Sequence, residues 1–195
     1  MELQVQLAWN RLLAIVEEQA QVLMRTAFST VVREAGDLSA GVFDVKGEML
    51  AQAVTGTPGH VNSMAEAVKK FLVKYPVSKL KPGDVLLTND PWDGTGHLND
   101  FTVVTPVFQL SEIIGFFAST SHIADVGGRG FGPDANDLFE EGLRVPISYL
   151  MQKGEPNQTL MDLIKANVRD PLVAEGDLYS FCLLYTSPSP RDLST

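Results

Sequence analysis

Two short stretches carry residue types able to do chemistry. They are LLTNDPWDGTGHLNDFTVV, Leu86 to Val104, and SHIADVGGRG, Ser121 to Gly130. In each a histidine is followed three residues later by an aspartate, His97 by Asp100 and His122 by Asp125. These are two of only three histidines in the chain. Both pairs sit in glycine-rich turns beside apolar, β-branched runs, which places them at strand ends. Imidazole next to carboxylate on backbone held by glycine is the inventory of a divalent metal site. Spacing alone leaves a second reading open: Asp and Asn are the default turn residues, and a histidine can be a turn or core donor.

The elements flanking these turns bear on that choice. Phe101 to Phe108 and Ile113 to Ser121 read as a hairpin turning at Gln109 to Glu112. His97 falls just before its first strand and His122 just after its second. Antiparallel pairing brings those two ends to the same side of the sheet, so the turns can converge. Two arbitrary histidines 25 residues apart carry no such expectation.

Around this hairpin the chain reads as one α+β unit. Leu3 to Ser29 is a long N-terminal helix, with Leu12, Ile15, Val16, Gln19, Val22, Leu23 and Ala27 recurring at three- and four-residue steps. Leu38 to Val45 and Met49 to Ala53 form a first hairpin around Gly47. Thr57 to His60 is a turn, and a helix capped at Asn62 or Ser63 runs to Tyr75. Asp84 to Thr88 is a strand, Leu143 to Tyr149 another, and Thr159 to Val168 an amphipathic helix. The loop Gly127 to Asn136 lacks apolar periodicity and has the character of a binding loop or lid, with three acids beyond it in Asp137 to Gly142. The fold class expected is antiparallel hairpins or a mixed sheet packed with helices.

Composition excludes several partners. A net charge of −9 and a pI near 4.7 disfavour nucleic acid and anionic membranes. No apolar run approaches the roughly 20 residues of a membrane span, and the N-terminus lacks the pattern of a signal peptide. A single cysteine, Cys182, fits a reducing, cytoplasmic setting. The last fifteen residues, from Phe181, lose all periodicity in a Ser/Pro-rich stretch. The expectation is an ordered unit over residues 1–180 and a non-native or disordered tail over 181–195. There is no GxxxxGK loop followed by Ser or Thr, no GxGxxG and no GxSxG, so no familiar phosphate loop or serine elbow is present.

Taken in order, the motifs resemble the hydantoinase B/oxoprolinase family. The matching blocks are REAGDLSAGVFDVKGEMLAQ (Arg33 to Gln52), GTPGH (Gly56 to His60), PGDVLLTNDPWDGTGHLNDFTVVTPVF (Pro82 to Phe108), SHIADVGG (Ser121 to Gly128), EEGLRVP (Glu140 to Pro146) and NVRDP with GDL (Asn167 to Leu178). Two departures occur: Ile123 stands where many members have a second histidine, and WDGTGH replaces the commoner aromatic-x-Gly-Gly-Thr-His. The resemblance implies the N-terminal part of a longer B-type subunit. Such a subunit is the hydrolytic half of an ATP-dependent enzyme opening a cyclic amide, 5-oxoproline or a hydantoin. An A-type partner, or fused A-type half, binds the ATP. Related members are subunits of acetone- and acetophenone-type carboxylases, and a scaffold role is a further alternative. The resemblance also implies a divalent metal, Mn, Zn or Fe, on Glu34, His97, Asp100 and His122. It gives His60, Asp90 and Asp125 as substrate-contacting or supporting residues, with Asn89 beside Asp90 shaping the loop.

Overall fold

The structure, a computed structural model, describes residues 2–130 and 132–182. The long N-terminal helix α1 spans Glu2–Thr26, and a single turn, α2, covers Thr30–Arg33. Strands β1 (Leu38–Phe43) and β2 (Met49–Gln52) form the first hairpin, followed by helix α3 (Pro58–Lys74). Then come β3 (Val85–Thr88), β4 (Asp100–Gln109) and β5 (Glu112–His122), and a short α4 (Leu138–Glu141). The chain continues through β6 (Ser148–Gln152), β7 (Glu155–Pro156), α5 (Gln158–Asn167) and α6 (Pro171–Cys182). Among the described residues seven strands join one sheet in the order β2-β1-β5-β4-β3-β6-β7, every neighbouring pair antiparallel. The fold is α+β with a fully antiparallel sheet.

Helices cover both faces of the sheet, and the strands show it. β1 and β3 are buried at every position, because alternate side chains enter different cores. Leu38, Ala40, Val42, Phe101 and Val103 point to one face, under Val16, Ala20 and Leu23 of α1 and Leu178 and Phe181 of α6. Phe43, Leu86, Val104, Phe116 and Ala118 point to the other, under Met64, Ala67, Val68 and Phe71 of α3. None of the described helices is long and apolar enough to cross a membrane.

Three expectations need correction. The TPGH segment is not a free turn: α3 begins at Pro58, one full turn earlier than Asn62, so His60 is helical. Proline at the first helical position has its φ already set and no N–H to leave unpaired. Leu143 to Ile147 is not a laddered strand. Its Val145 N–H goes to the Asn89 side chain at 2.6 Å, and its carbonyl takes the Thr88 hydroxyl at 2.8 Å. Strand pairing starts only at Ser148, beyond Pro146. Finally, the boundary drawn at Phe181 falls inside α6, where Phe181 and Cys182 are both buried. The rest of the expected tail, residues 183–195, lies outside the described residues.

Candidate metal centre

The centre is built on the α3 face of the sheet, at one end of β1, β4 and β5. Asp100 opens β4 and His122 closes β5, and the two are direct partners in the ladder. Residues paired across strands share a face, so carboxylate and imidazole are neighbours by construction. The His122 N–H in turn donates to the Asp37 carbonyl at 3.1 Å, one residue before β1. Counting back from inward-facing Phe43 in steps of two through Gly41 and Ser39 puts Asp37 on this same face. The row is therefore Asp37, His122, Asp100.

Two loops add the other histidines. His97 ends the Asp90 to Leu98 loop, which is stapled down by buried Asn89. The Asn89 amide donates to the carbonyls of Leu98 at 2.7 Å and Leu143 at 2.9 Å. Beyond the ladder, Asn99 and Ile123 exchange two bonds, Ile123 N–H to Asn99 O at 2.7 Å and Asn99 Nδ2 to Ile123 O at 2.8 Å. This fixes the step from His97 into β4. His60 arrives from the first turn of α3, whose start is tied to β1. The Thr57 N–H donates to Leu38 O at 2.7 Å, and the Ser39 hydroxyl to Thr57 O at 2.9 Å. Gly56 allows this approach, since a Cβ there would sit 2.3 Å from Leu38 O.

Asp100 is the hub. Its Oδ1 lies 2.9 Å from His97 Nε2 and 3.2 Å from His122 Nδ1. Its Oδ2 lies 3.1 Å from His60 Nε2 and accepts from the Thr95 hydroxyl at 2.9 Å. Asp37 stands on the far side, Oδ1 3.7 Å from His60 Nε2 and Oδ2 3.8 Å from His122 Nδ1, held by the Thr57 hydroxyl at 2.7 Å. Burial by itself would raise the Asp100 carboxyl. The hydrogen bonds from His122, His60 and His97 overcome it and hold the group far below the usual carboxylate range. His97 is shifted the opposite way, its proton affinity raised chiefly by the Asp100 hydrogen bond, against the effect of burial.

The donor set fits a divalent ion. One atom each from His97, Asp100 and His122 lies within 4.8 Å of the others. Donors bound at about 2.0–2.2 Å and at right angles stand roughly 3 Å apart. The 2.9 and 3.2 Å separations match that edge. The His97 and His122 rings lie 5.2 Å apart, tilted by 34°, near enough to share one centre.

The remaining expected residues go elsewhere. Glu34 caps α2 with a largely exposed side chain 3.8 Å from Arg33, outside this cluster; the acid brought alongside from that segment is Asp37. Asp125 accepts from Gly127 N at 2.9 Å and pairs with Arg169 at 2.7 Å, holding the glycine turn rather than His122. Asp90 shapes its own loop, accepting from Trp92 N at 3.1 Å, with Arg144 3.7 Å away. His60, by contrast, is inside the cluster. Sequence reading missed Asp37, Thr57 and Thr95. Only the inward phase of β1, extended one step back, pointed to the first.

Residues 1–183 match the family model for hydantoinase B/oxoprolinase, and the chain belongs to that family. It is 38% identical over 169 residues to an uncharacterized protein of Methanocaldococcus jannaschii, covering 84% of this chain and 30% of that one. It is 37% identical over 166 residues to the 5-oxoprolinase of Saccharomyces cerevisiae, covering 83% of this chain and 13% of that one. The crystal structure of the ATP-dependent caprolactamase from Pseudomonas jessenii superposes with a TM-score of 0.84 at 28% identity, over 94% of this chain and 32% of that one. The chain thus spans a third or less of the length of the relatives it matches.

Proposed function

We propose that this chain is the N-terminal part of a B-type subunit that opens a cyclic amide, working with an ATP-binding A-type partner. The observation that carries the reading is the convergence of His97, His122 and His60 on buried Asp100 in a chain of this family. A divalent ion of the Mn, Zn or Fe type, held by His97, Asp100 and His122 with Asp37 completing the set, supplies carbonyl polarisation and water activation when bound. The role that the family resemblance gave to Glu34 passes in this reading to Asp37.

The chain's own residues do the rest. His60 donates from Nε2 to Asp100 Oδ2, as Thr95 does, which leaves Oδ1 directed toward His97 and His122. A carboxylate gripped on one oxygen presents the other in a fixed direction, so His60 is a positioning residue. Asp90 and Asp125 act in this reading through the loops they hold. In this reading the A-type partner uses ATP to activate the amide before ring opening. The setting proposed is cytoplasmic, where ATP is available.

The test is turnover by the full-length protein with its A-type partner. ATP-dependent formation of glutamate from 5-oxoproline, or of an N-carbamoyl amino acid from a hydantoin, is the expected result. Its loss in His97→Ala together with the bound metal ties it to this centre. Bicarbonate fixation onto a ketone without amide opening overturns the hydrolase reading in favour of a carboxylase. Metal-free protein with neither activity leaves a scaffold.

A further inference from the structure

A cleft of about 420 Å³ opens beside the metal centre, between the Asp90 to Leu98 loop and α4. That volume is within the range of small-molecule sites. Its walls include Trp92, Gly96, Asn136, Asp137, Leu138 and Glu141. Gly96 precedes His97, and Glu141 is near enough for its charge to act on the His97 imidazole. Resting on the hydrolase reading above, we propose that this cleft seats the substrate ring and selects an uncharged cyclic amide over one bearing a carboxylate.

The lining carries the argument. Trp92 is 66% exposed and, with Leu138, offers a flat apolar wall for a small ring. The charged groups of the lining are carboxylates, and Asn136 adds an amide. Asn136 gives its backbone N–H and one of its two side-chain N–H groups to Glu140 Oε2, both at 3.0 Å, and its Oδ1 remains to accept. Asp137 and Glu141 add carboxylates. No lysine or arginine lines the cleft among the described residues, and the neighbouring cations already have anionic partners. Lys70 binds the Trp92 carbonyl and lies 3.9 Å from Asp93; Arg144 lies 3.7 Å from Asp90 and Arg129 3.0 Å from Glu140. A ring amide brings N–H donors that such a wall can accept. A ring bearing a carboxylate brings a third negative charge to two in place, and like charges at close range are a strong basis for rejection.

The experiment is calorimetric titration of the full-length, metal-loaded protein with unsubstituted hydantoin and with 5-oxoproline. Hydantoin is expected to bind at least about tenfold more tightly. Glu141→Lys, checked for retained metal, is expected to narrow or invert that preference. Glu141→Gln should move it the same way by less, and Trp92→Ala should weaken both rings. Equal or tighter binding of 5-oxoproline, or a preference indifferent to Glu141→Lys, overturns the proposal. So does binding untouched by Trp92→Ala. Because binding is read without turnover, a cleft that behaves as expected in a protein lacking ATP-dependent ring opening would sink the hydrolase reading and not the cleft.

Discussion

Asp100 and His122 face each other across the β4–β5 ladder, and the Asp100 carboxylate lies 3.2 Å from the His122 ring on that shared face. The next residue in the same row is Asp37, set by the His122 N–H bond to its carbonyl. Metal affinity should therefore follow the row and not the nearby sequence. His97→Ala and His122→Ala are each expected to abolish tight binding, and Asp37→Asn to weaken it strongly. Glu34→Gln should leave it unchanged. Titration of the purified variants with Mn²⁺ or Zn²⁺ decides it; a loss in Glu34→Gln equal to that in Asp37→Asn would reverse the assignment.

That contrast shows what the sequence made legible. The meeting of two histidines that flank one hairpin was legible, because antiparallel pairing sets both strand ends on one side of the sheet; the loop pinned by Asn89 then carries His97 to Asp100. Asp37 and Glu34 are three residues apart, and which of them faces inward depends on where β1 starts, a boundary set by tertiary pairing. The start of α3 was misplaced although Pro58 marks a first helical position, because the ties from Thr57 to Leu38 and Ser39 that fix it there are long-range. Helix α6 holds Gly176 and Asp177, both weak helix formers, in its interior. Both are buried, Gly176 where a Cβ would lie 2.4 Å from the Phe28 ring.

His60 touches Asp100 from the side away from His97, so its removal should disturb the centre without deleting a donor. His60→Ala is expected to lower metal affinity by roughly 10- to 100-fold, the range of changes to groups that orient a ligand. His60→Gln, which keeps a side-chain N–H able to reach Asp100, should recover part of this. The measurement is competitive chelation with both variants beside His97→Ala. A His60→Ala loss as complete as that of His97→Ala would make His60 a ligand instead.

Asp125 is expected to matter to the glycine turn and little to the metal. It accepts from Gly127 N, and Arg169 bridges it to the Gly127 and Gly128 carbonyls at 3.4 and 2.6 Å. Gly128 is held at φ +57°, with a would-be Cβ 2.4 Å from Glu140 O. Asp125→Asn and Arg169→Ala should each speed proteolytic cleavage within Gly127 to Asn136 while metal affinity stays within about threefold. Gly128→Ala should cost on the order of 1–3 kcal/mol for the strained backbone, with the collision added. Limited proteolysis and thermal denaturation read both effects; a metal loss of tenfold or more in Asp125→Asn would return it to the site.

The last prediction concerns a carboxyl far from the centre. Asp177 of α6 is fully buried, and its Oδ1 accepts from Phe28 N at 2.7 Å and Ser29 N at 3.0 Å. Burial pushes its pKa up, and the two backbone bonds only partly offset that. The sign follows from proton linkage. An acid whose folded pKa exceeds its unfolded value of about 4 binds its proton more tightly in the native state. Between the two values the native state carries more protons, so stability falls as pH rises through that window and levels off above it. Asp177→Asn keeps an oxygen for Phe28 and Ser29 and cannot ionise. The stability of the variant relative to the parent should therefore rise from about pH 4 upward and then become constant. Urea denaturation of both proteins at a series of pH values measures it. A difference that is flat from pH 4 to 8, or that shrinks as pH rises, would mean that Asp177 is as easily ionised inside the fold as in water.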